Sequence, residues 1–144
     1  MNATGLARLV SVRARMRDAA RSELLTEESA LIDIDRELSK TTDVKNDIMK
    51  ELCALQTGSA SAQDHERLDG MRVGAEHVRV LQLNKRLEQD KRVGQARARL
   101  VHSEREWERS KEMLQAARDQ RDAMEMHEME ALPRPARDPL GERP

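Results

Sequence analysis

Aromatic side chains are all but missing from these 144 residues: Trp107 stands alone, with no Phe and no Tyr. A compact globule of this length needs such residues, together with branched aliphatics, to fill a three-dimensional core. The shortage therefore points to a thin seam between elements. One cysteine, Cys53, rules out an internal disulfide and fits a packed small residue in a reducing compartment. An excess of charge is missing too, since 26 basic residues meet 27 acidic ones and leave a formal net charge of −1. Nucleic-acid binders usually carry a clear basic excess, so that class is disfavoured. No apolar run reaches the roughly 18 residues of a membrane span, and arginines at 8, 13, 15, 17 and 21 break up the N-terminal stretch where a signal peptide would lie. A soluble, cytoplasmic protein is the expectation.

Catalytic and metal patterns are equally scarce. His65, His77, His102 and His127 show no ligand spacing, and there is no CxxC, P-loop, dinucleotide-binding glycine pattern or GxSxG. In the run Met126-His127-Glu128-Met129 successive helical side chains point in different directions, which favours a plain surface over a soft-metal site. Carboxylates abound, but on an exposed helix they stay solvated and unsuited to acid–base work. The sequence predicts no enzyme, no cofactor and no metal.

What the chain does have is helix. Charged residues make up 37%, rich in Glu, Lys and Arg with Ala, Leu and Gln between them. Two interruptions divide it. Thr57-Gly58-Ser59-Ala60-Ser61-Ala62 is small and uncharged, with Gly58 suited to a left-handed residue past a helix end and Ser61 to an N-cap. Pro133, Pro135 and Pro139 then exclude helix from the tail. The prediction is an all-α chain: helix 1 over about 4–57, a turn at about 58–61, helix 2 over about 62–132, and a disordered Pro-rich tail over 133–144. Thr41-Thr42-Asp43 is a possible internal cap or kink, and Gly70, Gly74 and Gly94 weaken helix 2.

A heptad seam runs along helix 1 through Ala20, Leu24, Glu27, Leu31, Ile34, Leu38, Thr41, Lys45, Ile48, Leu52 and Leu55. Helix 2 repeats the pattern through Val93, Ala96, Leu100, Ser103, Trp107, Ser110, Leu114, Ala117, Arg121 and Met124, with Leu68, Met71, Ala75 and Val78 near the turn. A tight turn sets facing residue numbers to total about 123 or 124, pairing Leu55 with Leu68, Leu52 with Met71, Ile48 with Ala75, Leu31 with Val93, Leu24 with Leu100 and Leu6 with Ala117. One register serving both seams predicts an antiparallel coiled-coil hairpin, monomeric by itself. In the middle, Val80, Leu83 and Leu87 fall off the seam, and helix 2 needs one extra residue between Lys85 and Val93 to stay in phase. Either the seam widens there or those residues face a partner. Trp107 comes opposite Arg17 and near Arg13, where an arginine can stack on the indole in a packing role. Residues from about Arg118 to Leu132 project past helix 1, carrying Met124, Met126 and Met129. That overhang is either a docking end or a frayed one.

Two long helices starting directly at Leu6–Leu25, a short polar turn near the middle, Trp107 in helix 2, the charged run Arg105–Arg121 around it and a polar Pro-rich tail together resemble the FliJ/YscO family. Members are central stalk proteins of the flagellar and injectisome type III secretion ATPases. The resemblance implies a hairpin like the rotary ATPase γ-subunit coiled coil, located in the cytoplasm beside the inner-membrane secretion apparatus. Its termini end would enter a hexameric ATPase and its turn end would point to a membrane export-gate protein, with secretion chaperones as further partners. By position, Leu6, Leu9, Arg13, Arg17, Leu114, Arg118, Met124 and Met126 become the ATPase-side candidates. Val44, Ile48, Met49, Leu68, Met71 and Val73 become the export-gate-side candidates. Its implied action is mechanical, a rod that biases the hexamer. The competing expectation is a homo-oligomeric coiled-coil scaffold or an adaptor.

Overall fold

The computed structural model describes residues 2–56, 58 and 61–133. Two long helices, α1 (Ala3–Gln56) and α2 (Ala62–Ala131), pack antiparallel. The expected disordered tail lies outside the described residues from 134 onward, as do residues 59 and 60 of the expected turn.

Each helix start is capped from its own flank. The Gly5 N–H donates to Asn2 Oδ1 at 2.8 Å, and the Asp64 N–H donates to Ser61 Oγ at 3.2 Å. These side chains take up amide donors that have no partner inside a first helical turn. Gly58 does not adopt the left-handed conformation expected of it. Its N–H instead reaches back to the Leu55 carbonyl at 3.4 Å, a tight closing turn that needs no positive φ. At Thr41-Thr42, the possible internal cap or kink, α1 continues unbroken, and both hydroxyls donate to carbonyls one turn back, Thr41 to Glu37 and Thr42 to Leu38. Nor do the glycines break α2.

Asp18–Val101 forms one unit, and the flanking segments, up to Arg17 and from His102, form the other. In the first unit the α1 seam is the expected one, every position from Ala20 to Leu55 being buried or half-buried. The α2 seam differs. It runs His65, Leu68, Arg72, Ala75, Arg79, Gln82, Arg86, Gln89, Val93, Ala96 and Leu100, a 3–4 alternation with no inserted residue. Met71 and Val78, assigned to the seam by their apolarity, are exposed, and Arg72 and Arg79 take the adjacent seam positions. Arginine can do this because its aliphatic stem covers apolar surface while its head remains at the edge. Here the heads pair with acids one turn away, Arg72 with Asp69 at 3.0 Å and Arg79 with Glu76 at 3.3 Å.

That choice resets the register. Bridges within this unit join Lys45 to Glu76 and Asp35 to Arg86, each at 2.6 Å, and Glu23 to Arg99. Their residue numbers total 121, 121 and 122, the longer Glu28–Arg97 bridge reaches to 125, and the seams themselves coincide at a total of 120. Leu52 is therefore level with Leu68, Leu31 with Gln89, and Leu24 with Ala96. The pairings expected at 123 or 124 are displaced by about one turn, because they rested on Met71 and Val78 as seam residues.

The other unit repeats the arrangement. Leu6 and Leu114 are buried, Ser110 is wholly buried, and its hydroxyl donates to the Trp107 carbonyl at 2.8 Å. Arg13 donates to the Glu106 carbonyl at 3.0 Å and meets the Glu106 carboxylate at 3.3 Å.

Gln89, only 7% exposed, is the most buried amide in the seam, and its Nε2 donates to the Glu27 carbonyl at 2.9 Å and to the Glu27 carboxylate. Removing one partner of a buried polar pair strands the other, whereas replacing both with apolar groups removes the desolvation cost. Gln89→Leu is expected to lower unfolding free energy by about 1–3 kcal/mol. Adding Glu27→Leu is expected to restore it to wild type or above, as measured by urea denaturation of the two variants.

Candidate interaction surfaces

A hairpin this thin has no interior in which to build a cleft, so any site lies on the rows outside the seam. Among the described residues no three His, Cys, Asp or Glu side chains converge as a metal site, and no helix is long and apolar enough to cross a membrane.

The most organised side-chain cluster surrounds Trp107. The Arg17 guanidinium carbon lies 3.9 Å from the indole centroid, the stacking expected from the sequence, and Lys111 Nζ lies 3.8 Å from it. The second cation was not foreseen, although its position one helical turn after Trp107 signals it. The negative ring face attracts both charges. Beside this cluster is a shallow groove of about 290 Å3, lined by Arg13, Met16, His102, Ser103 and Glu106.

The candidates at the termini end separate by exposure. Leu6 and Leu114 are seam residues whose side chains are used within the chain. Leu9, Arg13 and Arg17 are half-buried, Arg13 on Glu106 and Arg17 on Trp107. Arg118, Met124 and Met126 are exposed, as is every residue from Arg118 to Pro133. The physical reason is the register: the α2 seam ends at Ala117, level with Ala3, where α1 begins. Among the described residues no other helix lies beside α2 from there, yet it stays helical to Ala131.

Among the turn-end candidates, Ile48 and Leu68 are buried in the seam and absent from the surface. Val44 and Met71 lie on one flank of the hairpin, Met49 and Val73 on the other, all four exposed. The structure therefore does not unite these six as a single patch. Met49 borders a groove of about 450 Å3 near the turn, with Leu52, Cys53 and His65 among its lining.

The off-seam residues noted in the sequence now have places. Leu83 is half-buried, while Val80 and Leu87 are exposed. They belong to a row of α2 spaced by seven, namely Val73, Val80, Leu87, Gly94 and Val101, which carries no charge over four heptad steps in a chain that is 37% charged. On the same flank α1 presents Leu25 and Ile32, also spaced by seven and exposed. The Asp35–Arg86 bridge on this flank brings Ile32 to about the level of Leu87 along the helices. Leu25 and Ile32 lie off the α1 seam, so its heptad pattern alone does not mark them.

Glu76 is the one carboxylate in the described residues with a clear shift, held below its ordinary value mainly by the hydrogen bond from Lys45. Desolvation opposes this, and the charges of Lys45 and Arg79 add to it. Comparison with protein-family models, curated proteins and solved structures gives no match to this chain.

Two outcomes are expected. A depressed carboxylate stabilises the folded state above its unfolded value near 4.5 and loses that contribution as pH falls through the lower folded value. Thermal melts from pH 6 to 3 should therefore show a shallower acid loss for Glu76→Gln than for wild type. Arg17→Met and Lys111→Met should each cost about 0.5–1 kcal/mol and alter emission from the sole tryptophan, as read in fluorescence-monitored unfolding.

Proposed function

We propose that this chain is the non-catalytic central stalk of a type III protein-secretion ATPase. The observation that carries the reading is the bare C-terminal end of α2, exposed from Arg118 onward and helical to Ala131, directly after the last level at which α1 can support it. An unsupported helix bearing Met124, Met126 and Met129 suits insertion into a groove or pore, since methionine adapts its shape to irregular apolar surfaces. The two long antiparallel helices and the sequence resemblance support the same reading.

In this reading the termini end enters the hexameric ATPase and the turn end meets a membrane export-gate protein, on the cytoplasmic side of the inner membrane. Arg118, Met124 and Met126 make the ATPase contact, and the exposed Val44, Met49, Met71 and Val73 are available to the gate or to secretion chaperones. The chain performs no chemistry. Its contribution is differential binding: a rod that favours one conformation of the hexamer over another shifts the cycle by the difference in its affinity for the two. Arg13 and Arg17 then serve indirectly, by keeping α1 and α2 together at the base of the inserted end.

The test is ATP hydrolysis by the purified export ATPase of the same organism, with and without the full chain. Stimulation of several-fold is expected, lost in Met124→Glu/Met126→Glu and retained in Val44→Glu. An ATPase indifferent to the wild-type chain, at concentrations well above those of the hexamer, would overturn the stalk reading in favour of an adaptor or scaffold.

A further inference from the structure

Past the end of the seam, the apolar surface of α2 is made of thioethers. From Arg118 to Ala131 the only apolar side chains larger than alanine's are Met124, Met126 and Met129, which are 64%, 64% and 71% exposed. We propose that these three methionines form a reversible redox switch, in which a hydroperoxide converts them to sulfoxides and turns off the docking of this helix end. The inference rests on the stalk reading, since it regulates the contact which that reading assigns to the end of α2.

The chemistry is that of the thioether. A sulfur lone pair attacks one oxygen of the peroxide, the O–O bond breaks, and an S–O bond forms. The proton of the attacked oxygen passes to the leaving one, which departs as water, or as an alcohol from an organic hydroperoxide. Sulfur is oxidised by two electrons and the peroxide is reduced by two. The product is a polar, chiral side chain that no longer adapts to an apolar groove. A sulfoxide reductase reverses the step, oxidising a dithiol to a disulfide and releasing the oxygen as water.

Two features confine the effect to the docking end. The first is that every methionine from Met16 onward is exposed and lies outside the seam, which draws its apolar residues from Leu, Ile, Val and Ala. Oxidation therefore spares the packing that holds α1 to α2, whereas a sulfoxide formed in a buried seam would break it. The second is that, among the described residues, no other helix lies beside α2 from Arg118 to Ala131. This stretch holds its shape through its own propensity and local pairs such as Arg121–Glu125 at 3.8 Å. Its length is close to the ~12–15 residues at which an isolated helix is marginal, so it has little reserve against the loss of three strong helix formers. Sulfoxides at Met124, Met126 and Met129 thus remove apolar surface and helical order from the same segment.

The test treats the full chain with hydrogen peroxide, in a Cys53→Ala background that removes the exposed thiol. The peroxide is then removed, each methionine is mapped by mass spectrometry, and stimulation of the export ATPase is measured. Every chain is compared with its own untreated form. Conversion of Met124, Met126 and Met129 is expected to return hydrolysis to the unstimulated rate while the melting temperature of the hairpin stays unchanged. Methionine sulfoxide reductases with dithiothreitol should restore the stimulation. Met16→Leu/Met113→Leu should remain as sensitive as its parent, and Met124→Leu/Met126→Leu/Met129→Leu should lose nothing on treatment. Full stimulation by a chain whose three thioethers have been converted overturns the proposal and leaves the stalk reading standing. Sensitivity that vanishes in Met16→Leu/Met113→Leu, or persists in the triple leucine chain, overturns it in the same way. An untreated chain that fails to stimulate removes both readings.

Discussion

Everything in this molecule depends on a single seam between two helices. With one tryptophan and no other aromatic residue, the chain cannot build a layered core, and its buried apolar side chains are few: Leu6, Ala20, Ile48, Leu68, Val93, Ala96 and Leu114. Burying one such leucine, isoleucine or valine contributes about 1.5–3 kcal/mol, so stability must accumulate along the length of the hairpin. A seam of that kind tolerates no loss of phase. A one-residue slip rotates every later side chain by about 100° and turns the apolar stripe into solvent. The unbroken 3–4 alternation on α2, from His65 to Leu100 in one unit and from Ser103 to Ala117 in the other, is the result.

Keeping phase has a cost, borne by polar residues. Arg72, Arg79, Gln82, Arg86 and Gln89 hold successive seam positions where an ideal coiled coil would place leucine. Each arginine brings its charge to a nearby carboxylate, and Gln89 is tied to Glu27. Exposed ion pairs contribute little to stability, about 0–1 kcal/mol each, and those of Arg72 and Arg79 stay within α2, so the contacts that cross to α1, from Arg86 and Gln89, set register more than they add strength. A leucine seam would slide by a heptad at small cost, whereas Lys45–Glu76, Asp35–Arg86 and Glu27–Gln89 are satisfied only in the register observed. The polar stretch thus specifies the alignment that the apolar ends stabilise.

The same economy leaves usable surface. Among the described residues no third element covers the hairpin, so its outer rows remain open to other chains. The stalk reading draws on the unsupported end of α2 beyond Ala117, where binding has a helix to grip but no partner helix to displace. A second exposed feature is the uncharged row centred on Leu87, from Val73 to Val101. A chain 37% charged has ample residues with which to make that row polar, and none of its five positions is charged or polar.

Fold class, antiparallel pairing, the α1 seam, the Ser61 cap and the stacking of Arg17 on Trp107 were legible in the sequence, because each follows from local spacing and residue chemistry. The α2 seam near the turn was not. Apolarity pointed to Met71 and Val78, and only the packed structure, where long arginine stems cover the seam and find acids at their tips, decided for Arg72 and Arg79. With that choice went the register, and with the register the exposure of the candidate residues: Leu6, Leu114, Ile48 and Leu68 inside, Met124, Met126 and Val44 outside. Sequence by itself determined that two helices would pair along a heptad stripe, since periodicity is a property of one helix. Which residues face each other, and so which remain for a partner, is a property of two helices together, and tertiary structure alone settled it.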